Sequence, residues 1–287
     1  MKKNVAVLFI SGQSNAHAHG QTLKESEYIV SPLENVFSLD RNPNQTFDLS
    51  NVEWSGFTTH GKNLGESQDN TGSFAYHFAK SWQNAIERGD NLPDLYIVQI
   101  SVGGQGIING MWNRDTVRQM IPGPLGVVNI ALFPLALQIN HLAMKNLKQS
   151  GKNPIVIGWH WIGSEQEIHC EAYKRDDFQE RYDYFFDSML ESIVEPCPLF
   201  LYKIACKKFC LQNNLPEYAV DEVNKELMRQ CGRYKNATLI DVVECPLWSD
   251  NHDHNGVYAA DNAHYTTDVQ RWFSDKFYEY VKSKFVF

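Results

Sequence analysis

A three-layer α/β/α sandwich built on a parallel sheet is the fold class that this 287-residue sequence predicts, and two observations predict it. Five runs rich in Val, Ile and Leu, at about 4–10, 94–101, 154–161, 198–205 and 237–243, are almost continuously apolar, as strands covered on both faces are. Helical patterns fill the intervals and the end of the chain, at about 73–88, 134–149, 172–194, 216–230 and 267–283. Strands alternating with helices imply right-handed crossovers, and hence a parallel sheet with helices on both faces.

Each element has its own signal. The first strand reads NVAVLFI and the second DLYIVQIS; the third, PIVIGWHW, carries His160, which is expected to be a satisfied core histidine. PLFLYKIA and ATLIDVV complete a five-stranded sheet. Pro134 and Pro216 suit first-turn positions, and Thr267 with Gln270 reads as a Thr-x-x-Gln capping box. The segments at about 20–71 and 102–132 are rich in Asn, Gly, Ser and Pro and too long for plain connectors, so they are expected to wall a site. The whole length, 1–287, reads as one domain.

Composition excludes several classes. A formal net charge of −8 with no basic stripe argues against nucleic acid as partner and suits a neutral or sugar-like substrate. No run of 18 or more apolar residues exists, so no membrane span is expected. The opening MKKNVAVLFISG is too short in its apolar part for a secretory signal, which implies a cytoplasmic protein or one released without a cleaved signal, as in a phage particle. All six cysteines lie between Cys170 and Cys245 and are expected to be reduced.

Ligands of parallel α/β sheets bind at the carboxyl ends of the strands, so the loops there are where chemistry is sought. The first strand runs into GQSN, with Ser14 as candidate nucleophile and Gln13 and Asn15 beside it as candidate substrate-binding residues, together with Gln105 and Glu165. The second runs into VGGQG, where Gly103 or Gly104 can bring a backbone N–H close to a reacting oxygen and Gln105 follows. Asp261 and His264, three apart before the final helix, offer a carboxylate that orients an imidazole. Ester hydrolysis needs this set: hydroxyl, base, orienting acid and oxyanion donors. His17 and His19 read as surface histidines of a flexible loop, with one of them lining the pocket as the alternative, and His252 and His254, which with Asp250 and Asp253 have the residue types of a divalent-metal site, read as part of a solvated loop.

Gly12-Gln13-Ser14-Asn15, Ser73-Phe74-Ala75, Gly103-Gly104-Gln105-Gly106-Ile107, Trp161 to Glu167 and Asp261-Asn262-Ala263-His264-Tyr265 occur in the order of a known pattern. Together they resemble the SGNH hydrolases, and more narrowly the sialate O-acetylesterase-like branch that includes carbohydrate esterase family six. The resemblance spans about residues 4–283 and implies a flavodoxin-like fold with a five-stranded parallel sheet. It implies a serine esterase that removes O-acetyl groups from a carbohydrate, with no metal or organic cofactor. By position, Ser14 would be nucleophile, His264 general base and acid, and Asp261 its orienting carboxylate. The backbone N–H groups of Ser14 and of Gly103 or Gly104 would receive the oxyanion.

One element departs from the pattern. Where W-x-Q-G-E-x-D is expected the chain reads Trp161-Ile162-Gly163-Ser164-Glu165-Gln166-Glu167, so the family's amide donor falls on Gly163. Losing one oxyanion donor costs about a hundred- to a thousandfold in turnover elsewhere. Ser164, Gln166, Gln105 or the N–H of Gly163 itself are candidates to fill the gap, while Glu165 is expected at the site floor. The departure keeps open a weakened carbohydrate-binding or structural protein on the same fold, and the fold also admits a lipase or thioesterase.

Overall fold

The computed structural model describes residues 2–41, 53–66, 69–116, 119–123, 126–248 and 256–287. The five expected strands form: β1 (Lys3–Gly12), β4 (Asp94–Ser101), β7 (Lys152–Ile162), β8 (Leu199–Tyr202) and β9 (Ala237–Ile240). The sheet nevertheless has seven strands. Two short ones, β2 (Val36–Leu39) and β3 (Trp54–Gly56), extend one edge, giving the order β3-β2-β4-β1-β7-β8-β9. Every neighbouring pair is parallel except β2 with β3. Four and three residues inside a polar segment give too little periodicity to register as strands, so the five-stranded expectation counted only the long central ones. A separate antiparallel pair, β5 (Gln119–Gly123) with β6 (Gly126–Ile130), lies in the second long segment.

Helices α1 (Phe74–Glu87) and α7 (Thr267–Lys284) pack together on one face, and α2 (Leu132–Gln149), α4 (Phe178–Ile193) and α6 (Tyr218–Arg233) cover the other. Strand β7 shows how the alternation of side chains feeds both layers. Trp159 and Trp161 point to the α4 side, their rings 6.1 and 4.8 Å from Phe185. His160 points the other way, stacked 4.5 Å from Phe200 and edge-on to Phe277 of α7. Its Nδ1 lies 2.6 Å from the Tyr202 hydroxyl and burial holds its pKa well below the usual histidine value, so it is a neutral core histidine, but one satisfied at a single nitrogen, since Nε2 has no hydrogen-bond partner among the described residues.

Three helix readings change in detail. The pattern at 172–194 is a 3-10 turn (Ala172–Lys174) followed by α4, because Arg175 is extended and pairs with Asp177, whose carboxylate then stands at the α4 N-terminus. A five-residue helix, α3 (Glu165–His169), follows β7, and a six-residue one, α5 (Lys207–Gln212), precedes α6. The Thr267–Gln270 capping box does not form. Thr266 is the N-cap, its hydroxyl donating to the Gly256 carbonyl (2.8 Å) rather than capping the helix, and Gln270 donates to the Asn15 carbonyl (2.7 Å) and accepts from Phe74 N–H (3.1 Å). Pro134 stands in the first turn of α2, where no donor is required of it. All six cysteines are free thiols, and no helix among the described residues is long and apolar enough to cross a membrane.

Candidate active site

The sheet brings three of the four motif loops to neighbouring strand ends. β1 lies between β4 and β7, and Gly12 is in register with Ser101 on one side and Ile162 on the other. Ser14, Gly103 and Gly163 therefore leave the sheet together, at the crevice where connections diverge to either side of β1. Gly12 is required there: at φ +155 its Cβ would lie 2.0 Å from the Ile162 carbonyl oxygen. With no side chain in the way, Gln13 N–H donates to that same oxygen (3.0 Å) and the chain turns at once into the 3-10 turn Ser14–Ala16.

The fourth loop, carrying Asp261 and His264, is fastened to the first by Asn15. Its Nδ2 donates to Glu165 Oε1 (2.7 Å) and to the Ala263 carbonyl (3.0 Å), and its Oδ1 accepts from Tyr265 N–H (2.8 Å). Both neighbours of His264 are thus bonded to the residue after Ser14. Asn15 is 1% exposed and its amide is committed to these bonds, so it holds the site together and presents nothing to a ligand.

Within the dyad, His264 Nδ1 lies 2.6 Å from Asp261 Oδ2, while Asp261 Oδ1 accepts the backbone N–H groups of Ala263 and His264, each at 3.0 Å. Burial opposes ionisation of Asp261, but the bonds from the His264 ring and the two amides outweigh it and hold the carboxyl below its usual range. An ionised carboxylate at Nδ1 fixes that nitrogen as the protonated one and leaves Nε2 as the base.

On the other side of Ser14, a Cβ built on Gly103 would stand 3.5 Å from the Ser14 Cβ. The Gly103 N–H donates to Glu66 Oε2 at 2.7 Å, so this amide is engaged and could receive an oxyanion only by releasing that carboxylate. Gly104 has φ +65, a left-handed conformation that glycine adopts without strain. Gln105 ties its own loop, accepting from Met111 N–H (3.1 Å) and donating to the Gly103 carbonyl (3.4 Å).

No protein-family model matches the sequence, and no curated protein matches it. Solved structures do. NanS superposes with a TM-score of 0.62 at 14% identity, over 99% of this chain and 100% of that chain. A protein from Arabidopsis thaliana gives 0.60 at 15% identity, over 99% and 100%. A family 3 carbohydrate esterase from Clostridium thermocellum gives 0.47 at 8%, over 98% and 96%. The first two likenesses are of fold: the chain shares the α/β fold of NanS and of the Arabidopsis protein.

At Gly163, where the chain departs from the pattern it resembles, the Gln13 side chain is the neighbour. A Cβ at 163 would lie 3.1 Å from Gln13 Cγ and 3.3 Å from its Cδ, so the Gln13 side chain occupies the space a larger residue would need. Gln13 Oε1 accepts from Gln166 N–H (3.3 Å), and its Nε2 is buried with no hydrogen-bond partner among the described residues. Ser164 faces the core, its Oγ accepting from Trp161 Nε1 (3.0 Å) and the Tyr182 hydroxyl (3.1 Å). It does so at φ +98, on the position where the SGNH pattern has glycine.

Two acids, half-buried Glu165 and buried Glu167, follow Gly163 on α3. Glu165 has its pKa raised by burial, against the bond from Asn15 and the nearby His264. Burial pushes Glu167 up to about 7, although Ile107 and Ile108 N–H groups donate to it at 2.6 and 3.4 Å. Sequence reading missed Glu66, which sits in a polar segment without periodicity, and it missed the reach of Gln270. His17 is buried rather than a surface histidine, with Nδ1 2.9 Å from Ser101 Oγ. His252 and His254 lie outside the described residues.

Proposed function

We propose that the protein is a serine esterase that removes O-acetyl groups from a carbohydrate through an acetyl-enzyme. The observation that supports this reading is the Asn15 clamp, which ties the residues on either side of His264, itself bonded to Asp261, to the residue that follows Ser14. In the proposed reaction His264 Nε2 takes the Ser14 hydroxyl proton as Oγ attacks the acetyl carbonyl. Asp261 stabilises the imidazolium, which then returns the proton to the departing sugar oxygen. A water activated by the same imidazole releases acetate.

Oxyanion donors in this reading are the N–H groups of Ser14 and of Gly103 or Gly104, with that of Gly163 and the Gln13 amide in the place of the absent side-chain donor. No metal or organic cofactor enters the chemistry. The sugar preference rests on the motif resemblance and on the acidic, non-basic character of the chain.

Purified protein should release acetate from acetylated sugars and small acetyl esters, and Ser14→Ala should abolish it. A fluorophosphonate probe should label the wild type at Ser14. Gly163 favours one competing reading, a carbohydrate-binding protein with decayed catalysis; such a protein would stay unlabelled and release no acetate. A steep preference for long acyl chains would instead mark a lipase-like or thioesterase-like enzyme.

A further inference from the structure

Beside the Ser14 loop, His17, His19 and Glu66 bring one ligand atom each within 4.8 Å of one another. We propose that these three residues bind a divalent transition-metal ion of the zinc class on the rim of the esterase site. Two imidazoles and a carboxylate are the donor set such an ion prefers. The spacing of the best-ordered pair also fits: His17 Nε2 and Glu66 Oε2 are 3.5 Å apart. That is too long for a good hydrogen bond, and it is close to the ~3.3 Å edge between donors around a tetrahedral ion with bonds of about 2.0–2.1 Å.

The ligands are held before any ion arrives. His17 is 1% exposed and its Nδ1 is engaged by Ser101 Oγ (2.9 Å), which orients the ring and presents Nε2, the support that metal-bound histidines usually receive. Ala18 between the histidines has φ +56, a strained conformation for a residue with a side chain, and it turns His19 back towards His17. The loop is pinned through its carbonyls: Ser14 O accepts from His19 N–H (3.0 Å), Ala16 O from Gln99 (3.1 Å) and His17 O from Thr71 (2.7 Å).

The ion would be coupled to hydrolysis. Glu66 is the acceptor of the Gly103 N–H, and the His19 ring centre is 5.0 Å from that of His264. A bound ion therefore fixes a carboxylate on an oxyanion donor and a cation beside the general base, and it should inhibit the esterase reversibly.

The test is direct binding to the intact, chelator-stripped protein. Titration with Zn2+ by calorimetry, and with Co2+ by visible absorption, should show one ion per chain with no thiolate charge-transfer band. His19→Ala and Glu66→Gln, checked for folding by circular dichroism, should each weaken binding at least tenfold. Absence of binding at millimolar Zn2+, a thiolate band, or one-to-one binding that both variants leave unchanged would overturn the proposal. None of these readouts depends on esterase activity, so failure here and failure of the functional reading are separable.

Discussion

Asn15 Oδ1 accepts the backbone N–H of Tyr265 at 2.8 Å, a bond that joins residues 250 positions apart and fixes where His264 stands relative to Ser14. Asn15→Ala would leave that amide, the Ala263 carbonyl and the Glu165 carboxylate without their partner. A buried polar group left unpaired costs about 1–3 kcal/mol. The variant should therefore unfold at lower urea and lose kcat beyond what lost stability explains. Equilibrium denaturation beside steady-state kinetics checks both, and unchanged kcat in the folded variant would refute the clamp.

Asp261→Asn keeps an oxygen for the Ala263 and His264 amides but turns an NH2 group towards the imidazole Nδ1. The ring must then protonate on Nε2, the nitrogen that the proposed reaction needs as base. A loss of about 10³–10⁴-fold in kcat is expected, with KM nearly unchanged, by analogy with the same change in a serine protease triad. Kinetics on a small acetyl ester would show it; a drop under tenfold would mean the carboxylate is not the orienting group.

Gln13→Ala removes the amide that lies over Gly163. If that amide receives the oxyanion, kcat should fall by about a hundredfold or more while KM changes little. Gly163→Ala should push the same side chain aside, its added Cβ meeting Gln13 at 3.1–3.3 Å, and lower kcat in the same direction. Full activity in Gln13→Ala would leave backbone donors as the whole oxyanion hole.

Glu167 has its pKa raised from the ordinary 4.5 to about 7 by burial. A group whose folded pKa is raised binds more protons folded than unfolded between those two values, so its contribution to stability falls as pH rises through that window. The size is on the order of 3 kcal/mol over the full interval. Glu167→Gln keeps an oxygen for the Ile107 amide and removes the titration. Urea midpoints at pH 5 and pH 7 should converge in the variant relative to wild type.

The long apolar runs made the central sheet legible, because strands covered on both faces cannot hide polar residues. The same logic failed for Val36–Leu39 and Trp54–Gly56, whose pairing comes from the neighbouring strand rather than from their own pattern. GQSN and Asp-x-x-His were legible as motifs, while their joining was not: Asn15 reads as an ordinary turn residue until its partners at 263 and 265 are in space. Gln270 read as a local cap and proved to be a long-range tie to Asn15 and Phe74. Glu66 carried no signal, since one acid in a polar segment acquires meaning only from the Gly103 amide it meets.

The placement of β1 between β4 and β7 bears on how the molecule comes to exist. During synthesis this strand emerges well before either neighbour, and its apolar residues have nowhere to pair until Asp94–Ser101 and then Lys152–Ile162 have followed. Contacts so distant in sequence form slowly and leave unpaired edges exposed meanwhile. The Asn15–Tyr265 bond waits longer still, for the last helix to be made. A ribosome-bound or C-terminally truncated chain that ends before residue 264 should therefore hold Ser14 without the imidazole that the proposed reaction pairs with it.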